Sequence, residues 1–106
     1  MNDHAISDLK AHALEEGLRN IKLTTGKAEE IRICERCADI AFIGIALHDF
    51  QNPSLVLENA RIMVKPSGIL VNLDWKKEPT PFGPPLHIRF DEKTASCLLE
   101  AAGFKI

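Results

Sequence analysis

Ala38-Asp39-Ile40-Ala41-Phe42-Ile43-Gly44-Ile45-Ala46-Leu47 is the stretch that decides the fold. Apart from Asp39 it is apolar from end to end and does not alternate. A strand with one wet face alternates, whereas a strand covered on both faces, as in a parallel sheet, reads as a continuous apolar run. The run is also far shorter than the roughly 20 residues that a membrane-spanning helix requires. It is therefore predicted to be an inner strand of a sheet covered by helices.

The segments on either side agree. Downstream, Asn52-Pro53 opens a helix with proline in its first turn. Leu55, Val56, Ala60 and Met63 fall on one of its faces. Lys65-Pro66-Ser67-Gly68 reads as a turn, and Ile69-Leu70-Val71-Asn72-Leu73 as the next buried strand. Residues 76–85 hold four of the six prolines and read as a loop. Asp91 is placed to cap a third helix that Gly103 closes, and Phe104-Lys105-Ile106 reads as the start of a further strand. Upstream, Ile6, Leu9, Ala13 and Leu14 recur at helical spacing, with Ser7 as cap and Gly17 as stop. Ile21-Lys22-Leu23-Thr24-Thr25 alternates like a short strand ended by Gly26, and residues 27–36 are charged and irregular. Helices and strands that alternate imply right-handed crossovers and a parallel sheet. The predicted class is α/β, in a single domain over residues 1–106.

Composition narrows the function. A chain of 106 residues, 45% of them hydrophobic, can build one core. Thirteen basic and 15 acidic residues give a net charge of −2 without a basic stripe, which argues against nucleic acid as the main partner. Met1-Asn2-Asp3-His4 does not begin a signal peptide, and no segment is apolar enough for a membrane. Three cysteines, an odd number, do not suit a secreted disulfide framework, so the expected location is cytoplasmic. Cys34-Glu35-Arg36-Cys37 lacks the second ligand pair of a structural zinc site and precedes a strand instead of opening a helix after one. It reads as two ordinary cysteines in a surface loop, and no metal is expected.

Four local strings then share one likeness. Gly17-Leu18-Arg19-Asn20-Ile21 with Gly26-Lys27-Ala28-Glu29 resembles the third-strand region of class I S-adenosylmethionine-dependent methyltransferases. Ala38-Asp39-Ile40 leading to Leu47-His48-Asp49-Phe50 resembles their fourth strand and the turn after it. Arg61-Ile62-Met63-Val64-Lys65-Pro66-Ser67-Gly68 is similar to the turn before their fifth strand, and Leu98-Leu99-Glu100-Ala101-Ala102-Gly103-Phe104 to the helix before their sixth. The blocks keep the family's order over nearly the whole chain, and the subgroup they most resemble is the ubiquinone/menaquinone-biosynthesis type. The resemblance implies an incomplete Rossmann-like methyltransferase fold, truncated at both ends: no G-x-G occurs, and the chain stops inside the sixth strand.

By that resemblance the cofactor is S-adenosyl-L-methionine and the substrate a small molecule. Gly26, Lys27, Ala28 and Glu29 would lie against the adenine. In the family a carboxylate often stands where Lys27 is, and lysine offers donors only. Ile45, Ala46 and Leu47 would line the cofactor, and His48, Asp49 and Trp75 would face the substrate, beyond the carboxyl ends of the strands where ligands of open parallel sheets bind. His48-Asp49 can be read as a base with its carboxylate or as a polar turn. In the complete fold the strand at residues 38–47 has a neighbour on each side, and here one is missing. Ile40, Phe42, Ile43, Ile45 and Leu47 then need cover, from the strand at residues 21–25, a second copy, or a complementing N-terminal methyltransferase half. The rival reading is a non-catalytic methyltransferase-like oligomerisation or interaction module.

Overall fold

In the computed structural model, which describes residues 3–106, β1 (Ala38–Gly44) and β2 (Val64–Leu73) form a two-stranded parallel sheet. Helix α2 (Pro53–Met63) makes the crossover between them, α1 (Asp3–Glu15) precedes β1, and α3 (Glu92–Ala101) follows β2. The α/β class and parallel pairing are those expected from the apolar run.

Helix α2 starts where Asn52 and Pro53 indicate, because the Asn52 side chain accepts the Leu55 amide at 3.2 Å. Its buried residues Val56, Leu57 and Ala60 form the small core together with Leu47 and Val64. Helix α1 instead begins upstream of Ser7, which lies inside it, and among its described side chains it buries only Ala13. A serine in mid-helix points its hydroxyl to solvent or to the preceding turn and no longer serves as a cap. Gly17 does end this segment, at φ +70°.

Three segments differ from the sequence reading. Residues 21–25 form no strand; their alternating pattern is too short to hold without a neighbour to pair with. Phe104-Lys105-Ile106 is not a strand either, and Phe104 instead lies under the Arg61 guanidinium, 6.0 Å from its ring centroid. Lys65-Pro66-Ser67-Gly68 is not a turn between elements but a bulge inside β2. Ala38 pairs with Val64 and Ile40 with Ile69, so these four residues lie opposite the single residue Asp39 of β1. Proline lacks the amide a regular ladder needs, which suits it to a bulge. Gly68 is required there, since a Cβ would come within 2.9 Å of the Asp39 carbonyl oxygen and closer still to Val64.

Helix α3 is capped at its start by Asp91, whose Oδ1 accepts the Thr94 amide at 2.7 Å. At its end the Arg61 Nη1 donates to the Gly103 carbonyl at 2.9 Å. Hydrogen bonds from Thr94, its side chain foremost and its amide next, hold the Asp91 carboxyl below the usual carboxylate range. A pKa lowered by folding contributes stability above the unfolded value, about 3.9, and the contribution disappears as pH falls through the folded value. Asp91→Ala is therefore expected to melt below wild type at neutral pH, and the gap to close in a medium acidic enough to protonate the folded-state carboxyl, below the usual carboxylate range. Thermal melts followed by circular dichroism at both pH values test this; a constant offset would refute it.

Candidate functional site

The site is built where the two strands end. Gly44 pairs with Leu73, so the residues that follow each strand emerge side by side. The Ile45 amide still donates to the Leu73 carbonyl at 2.6 Å, but Ile45 has φ +53° and turns the chain out of the strand. This ends β1 at Gly44, three residues short of the predicted end of the run at Leu47. A β-branched residue in the left-handed region is an outlier held by its surroundings, and such strain gathers at functional turns. Ala46 leads into a 3-10 turn, Leu47–Asp49, closed by the Asp49 amide on the Ala46 carbonyl at 2.9 Å. Leu47 is fully buried and belongs to the core.

This turn lays His48 across the sheet toward β2. Its Nδ1 sits 2.8 Å from both carboxylate oxygens of Asp74, the residue just after β2. A carboxylate only accepts, so Nδ1 carries a proton and donates it to Asp74. Asp74 is itself oriented by the Trp75 amide, which donates to Oδ1 at 2.8 Å. The His48 side chain is only 3% exposed and that of Asp74 13%, whereas Asp49, 3.4 Å from Nε2, is 67% exposed. The orienting carboxylate is thus Asp74, a residue the sequence reading did not single out, and not the adjacent Asp49. A carboxylate directly after a buried strand, opposite the end of its neighbour, was the available signal.

The segment Gly26, Lys27, Ala28 and Glu29 is anchored elsewhere. Asn59 on α2, 3% exposed, donates Nδ2 to the Glu29 carbonyl at 2.7 Å and, more weakly, to the Ala28 carbonyl at 3.4 Å. Its Oδ1 accepts from the Arg32 Nε at 2.8 Å. Gly26 adopts φ +144°, against the Ile31 side chain, and Lys27 is exposed. Asn59 lies on the same helix face as Val56, Ala60 and Met63, so a polar residue in that stripe marked a partner to be found.

Trp75 turns toward the proline-rich loop. Its ring meets Phe82 edge-on at 5.8 Å and lies 5.2 Å from the Arg89 guanidinium. Arg89 is 4% exposed and gathers the loop by donating to the carbonyls of Pro84 and Glu78 at 2.8 and 3.0 Å and to the Thr80 hydroxyl at 2.7 Å. A broad open trough of about 1370 Å³ runs beside β2 toward α3 and reaches Asp74 and Trp75, but His48 does not line it. The ordered polar groups His48 and Asp74 converge at the strand ends and not along the trough. Cys34 and Cys37 lie close together in the loop before β1, with Cα atoms 6.0 Å apart. Arg36, at φ 49°, reverses the chain between them.

Parallel strands joined by a helical crossover, with polar groups gathered past their carboxyl ends, define an α/β ligand-binding fold of the Rossmann-like class. The chain belongs to the methyltransferase-domain family, whose model matches residues 1–72. It is similar in structure to a SAM-dependent methyltransferase from Aquifex aeolicus, with a TM-score of 0.90 and 25% identity over 98% of this chain and 55% of that one. A putative type 11 methyltransferase from Sulfolobus solfataricus gives a TM-score of 0.68 and 26% identity over 92% of this chain and 55% of that one. This chain therefore spans 55% of the length of each. No curated protein matches. Among the described residues no helix is long and apolar enough to cross a membrane.

Proposed function

We propose that this chain is the middle and rear portion of a class I methyltransferase, and that the complete assembly moves a methyl group from S-adenosyl-L-methionine to a small molecule. The observation that supports it most is the ligand-facing end of the sheet: Ile45 in a strained turn, with His48 and Asp74 paired beside it, in a chain of this family. S-adenosyl-L-methionine supplies an electrophilic methyl group on a sulfonium. Of this chain's residues, the backbone of Gly26, Ala28 and Glu29 and the turn at Ile45 and Ala46 are suited to hold it. Lys27 does not suit the adenine amino group, because donor would face donor. No pair of glycines spaced for close backbone approach to the cofactor is present, so the chain alone is read as not competent.

Calorimetry with S-adenosylhomocysteine tests this. The chain alone is expected to show no micromolar binding, and the chain mixed with a polypeptide carrying a glycine-rich strand and loop is expected to gain it. Binding by the chain alone would remove the claim of incompetence; no binding in the mixture would remove methyl transfer.

The uncovered sheet supports the partner reading. Register puts Ile40 beside Ile69 and Phe42 beside Val71 on one face, with Leu73 beyond, and all five are exposed. Covering one such side chain contributes about 1.5–3 kcal/mol. The isolated chain is expected to self-associate through this face until a complementing half occupies it. Phe42→Glu is expected to weaken that association by about tenfold or more in sedimentation equilibrium, since a tenfold change corresponds to about 1.4 kcal/mol. A compact wild-type monomer at micromolar concentration would contradict the proposal.

A further inference from the structure

We infer that Cys34 and Cys37 form a reversible redox pair, which closes by exchange with a low-molecular-weight disulfide and so locks the loop that leads into β1. The inference stands apart from the methyl-transfer reading and does not need it.

The backbone of the loop presents the two residues to each other. Their Cα atoms are 6.0 Å apart, inside the roughly 4.4–6.8 Å that a disulfide spans. Arg36, in the left-handed region at φ 49°, makes the reversal that brings position 37 back beside position 34. Hydrogen bonds to the end of α2 hold that reversal. The amides of Arg36 and Cys37 donate to the carbonyls of Ile62 and Met63, each at 2.9 Å, and the Ile33 amide donates to the Met63 sulfur at 3.4 Å. Cys37 is exposed and Cys34 half-buried, and the chain beside them carries the cations Arg32 and Arg36 with the anion Glu35. Reactive cysteines sit in partly exposed, electropositive surroundings of this kind, whereas buried structural ones are inert.

The step balances. The Cys37 thiolate, the exposed one, attacks a sulfur of the external disulfide, whose S–S bond breaks with its electron pair on the departing thiolate. The Cys34 thiolate then attacks the Cys37 sulfur and expels the second thiolate. The cysteine pair is oxidised by loss of two electrons and two protons, and the external disulfide is reduced to two thiols. A bridge between positions three apart closes a short ring, which constrains the unfolded chain less than a long loop would, so it is a weak structural staple. Exposed bridges are also the labile and regulatory ones. The motif precedes β1 and does not open a helix, so what it delivers is a changed loop and not dithiol catalysis. Closure fixes residues 33–37 against the corner where α2 passes into β2, one residue before Ala38 pairs with Val64.

The test uses the full chain carrying Cys97→Ser, which removes the free exposed thiol on α3. It is equilibrated with reduced and oxidised glutathione in graded ratios, quenched with iodoacetamide and weighed by mass spectrometry. Cys34 and Cys37 are expected to escape alkylation together, with the loss of two hydrogens and no glutathione retained, and dithiothreitol is expected to restore both. Cys34→Ser should stop the exchange at a glutathione adduct on Cys37. Hydrogen exchange at the Arg36 and Cys37 amides is expected to slow by about tenfold on oxidation, the change that about 1.4 kcal/mol of local stability makes. Two cysteines still alkylated in excess oxidised glutathione, a lasting adduct on either one without Cys34→Ser, or amide exchange equal in the two forms would each overturn the inference. The methyl-transfer reading fails separately, in the S-adenosylhomocysteine titration of the complemented chain, and that failure leaves the thiol count and the amide exchange as they are.

Discussion

Arg89→Ala is expected to release the proline-rich loop from the body of the domain and to lower stability by roughly 3–4 kcal/mol, since hydrogen bonds from a charged donor contribute about 1.5–3 kcal/mol each and several are lost together. The guanidinium, 4% exposed, donates through Nε to the Pro84 carbonyl at 2.8 Å and through Nη1 to Lys76 and Glu78 at 3.2 and 3.0 Å. Nη2 adds the Thr80 hydroxyl at 2.7 Å and the Phe82 carbonyl at 3.4 Å. One side chain thus satisfies acceptors spread over residues 76–84, while its flat face lies against Trp75. Carbonyls freed by the substitution can turn to water, which is why the expected loss is well below the sum of the separate bonds. The measurable consequences are a lower urea midpoint and new proteolytic cleavage within residues 76–88. Arg89→Lys should fail to restore either, because an ammonium has three donors at one point and cannot reach acceptors arranged around a planar fork. Full restoration by lysine would mean that charge alone holds the loop. Because Trp75 follows Asp74 directly, a loosened loop should also disturb the orientation of the His48 partner.

What the sequence could disclose follows from how far each signal reaches along the chain. The inner strand, the crossover helix and the third helix were legible because their signals are local: an unbroken apolar run, Asn52-Pro53, and Asp91 with Gly103. The Ile21–Thr25 pattern and Phe104-Lys105-Ile106 misled because a strand exists only with a neighbour, and neither has one here. The bulge at Lys65-Pro66-Ser67-Gly68 contains turn residues, yet whether they end a strand or interrupt it is decided by the register against β1. His48 was legible as the polar residue after the inner strand. Its partner was not, because Asp74 lies 26 positions away and meets His48 only through the pairing of Gly44 with Leu73. Asn59 and Arg89 were missed for the same reason: their partners are carbonyls, which every residue has and no residue type advertises.

Asn59→Ala is expected to free the segment over residues 26–32 and to cost about 2–3 kcal/mol, the range for leaving buried hydrogen-bonding groups without partners. The amide is 3% exposed, and from α2 it reaches that segment at Ala28, Glu29 and Arg32. Its removal takes the partner from the half-buried carbonyls of Ala28 and Glu29, while Arg32, an exposed residue, can turn to water. Hydrogen exchange should report this at the Glu30 amide, which donates to the Lys27 carbonyl at 2.9 Å within the segment and should lose protection before the amides of β1 do. Asn59→Asp separates the contributions. A carboxylate of the same shape still accepts from Arg32, with added charge attraction, but it turns an oxygen toward the Glu29 carbonyl where the amide nitrogen donated at 2.7 Å. If the backbone anchor matters most, aspartate is as damaging as alanine and Glu30 exchanges as fast in both. If aspartate preserves protection, Arg32 is the true tether and the carbonyl contacts follow from it. We expect the first result, because two carbonyls and one nitrogen donor sit on the buried side of Asn59, and a carboxylate there would meet acceptors with nothing to offer them.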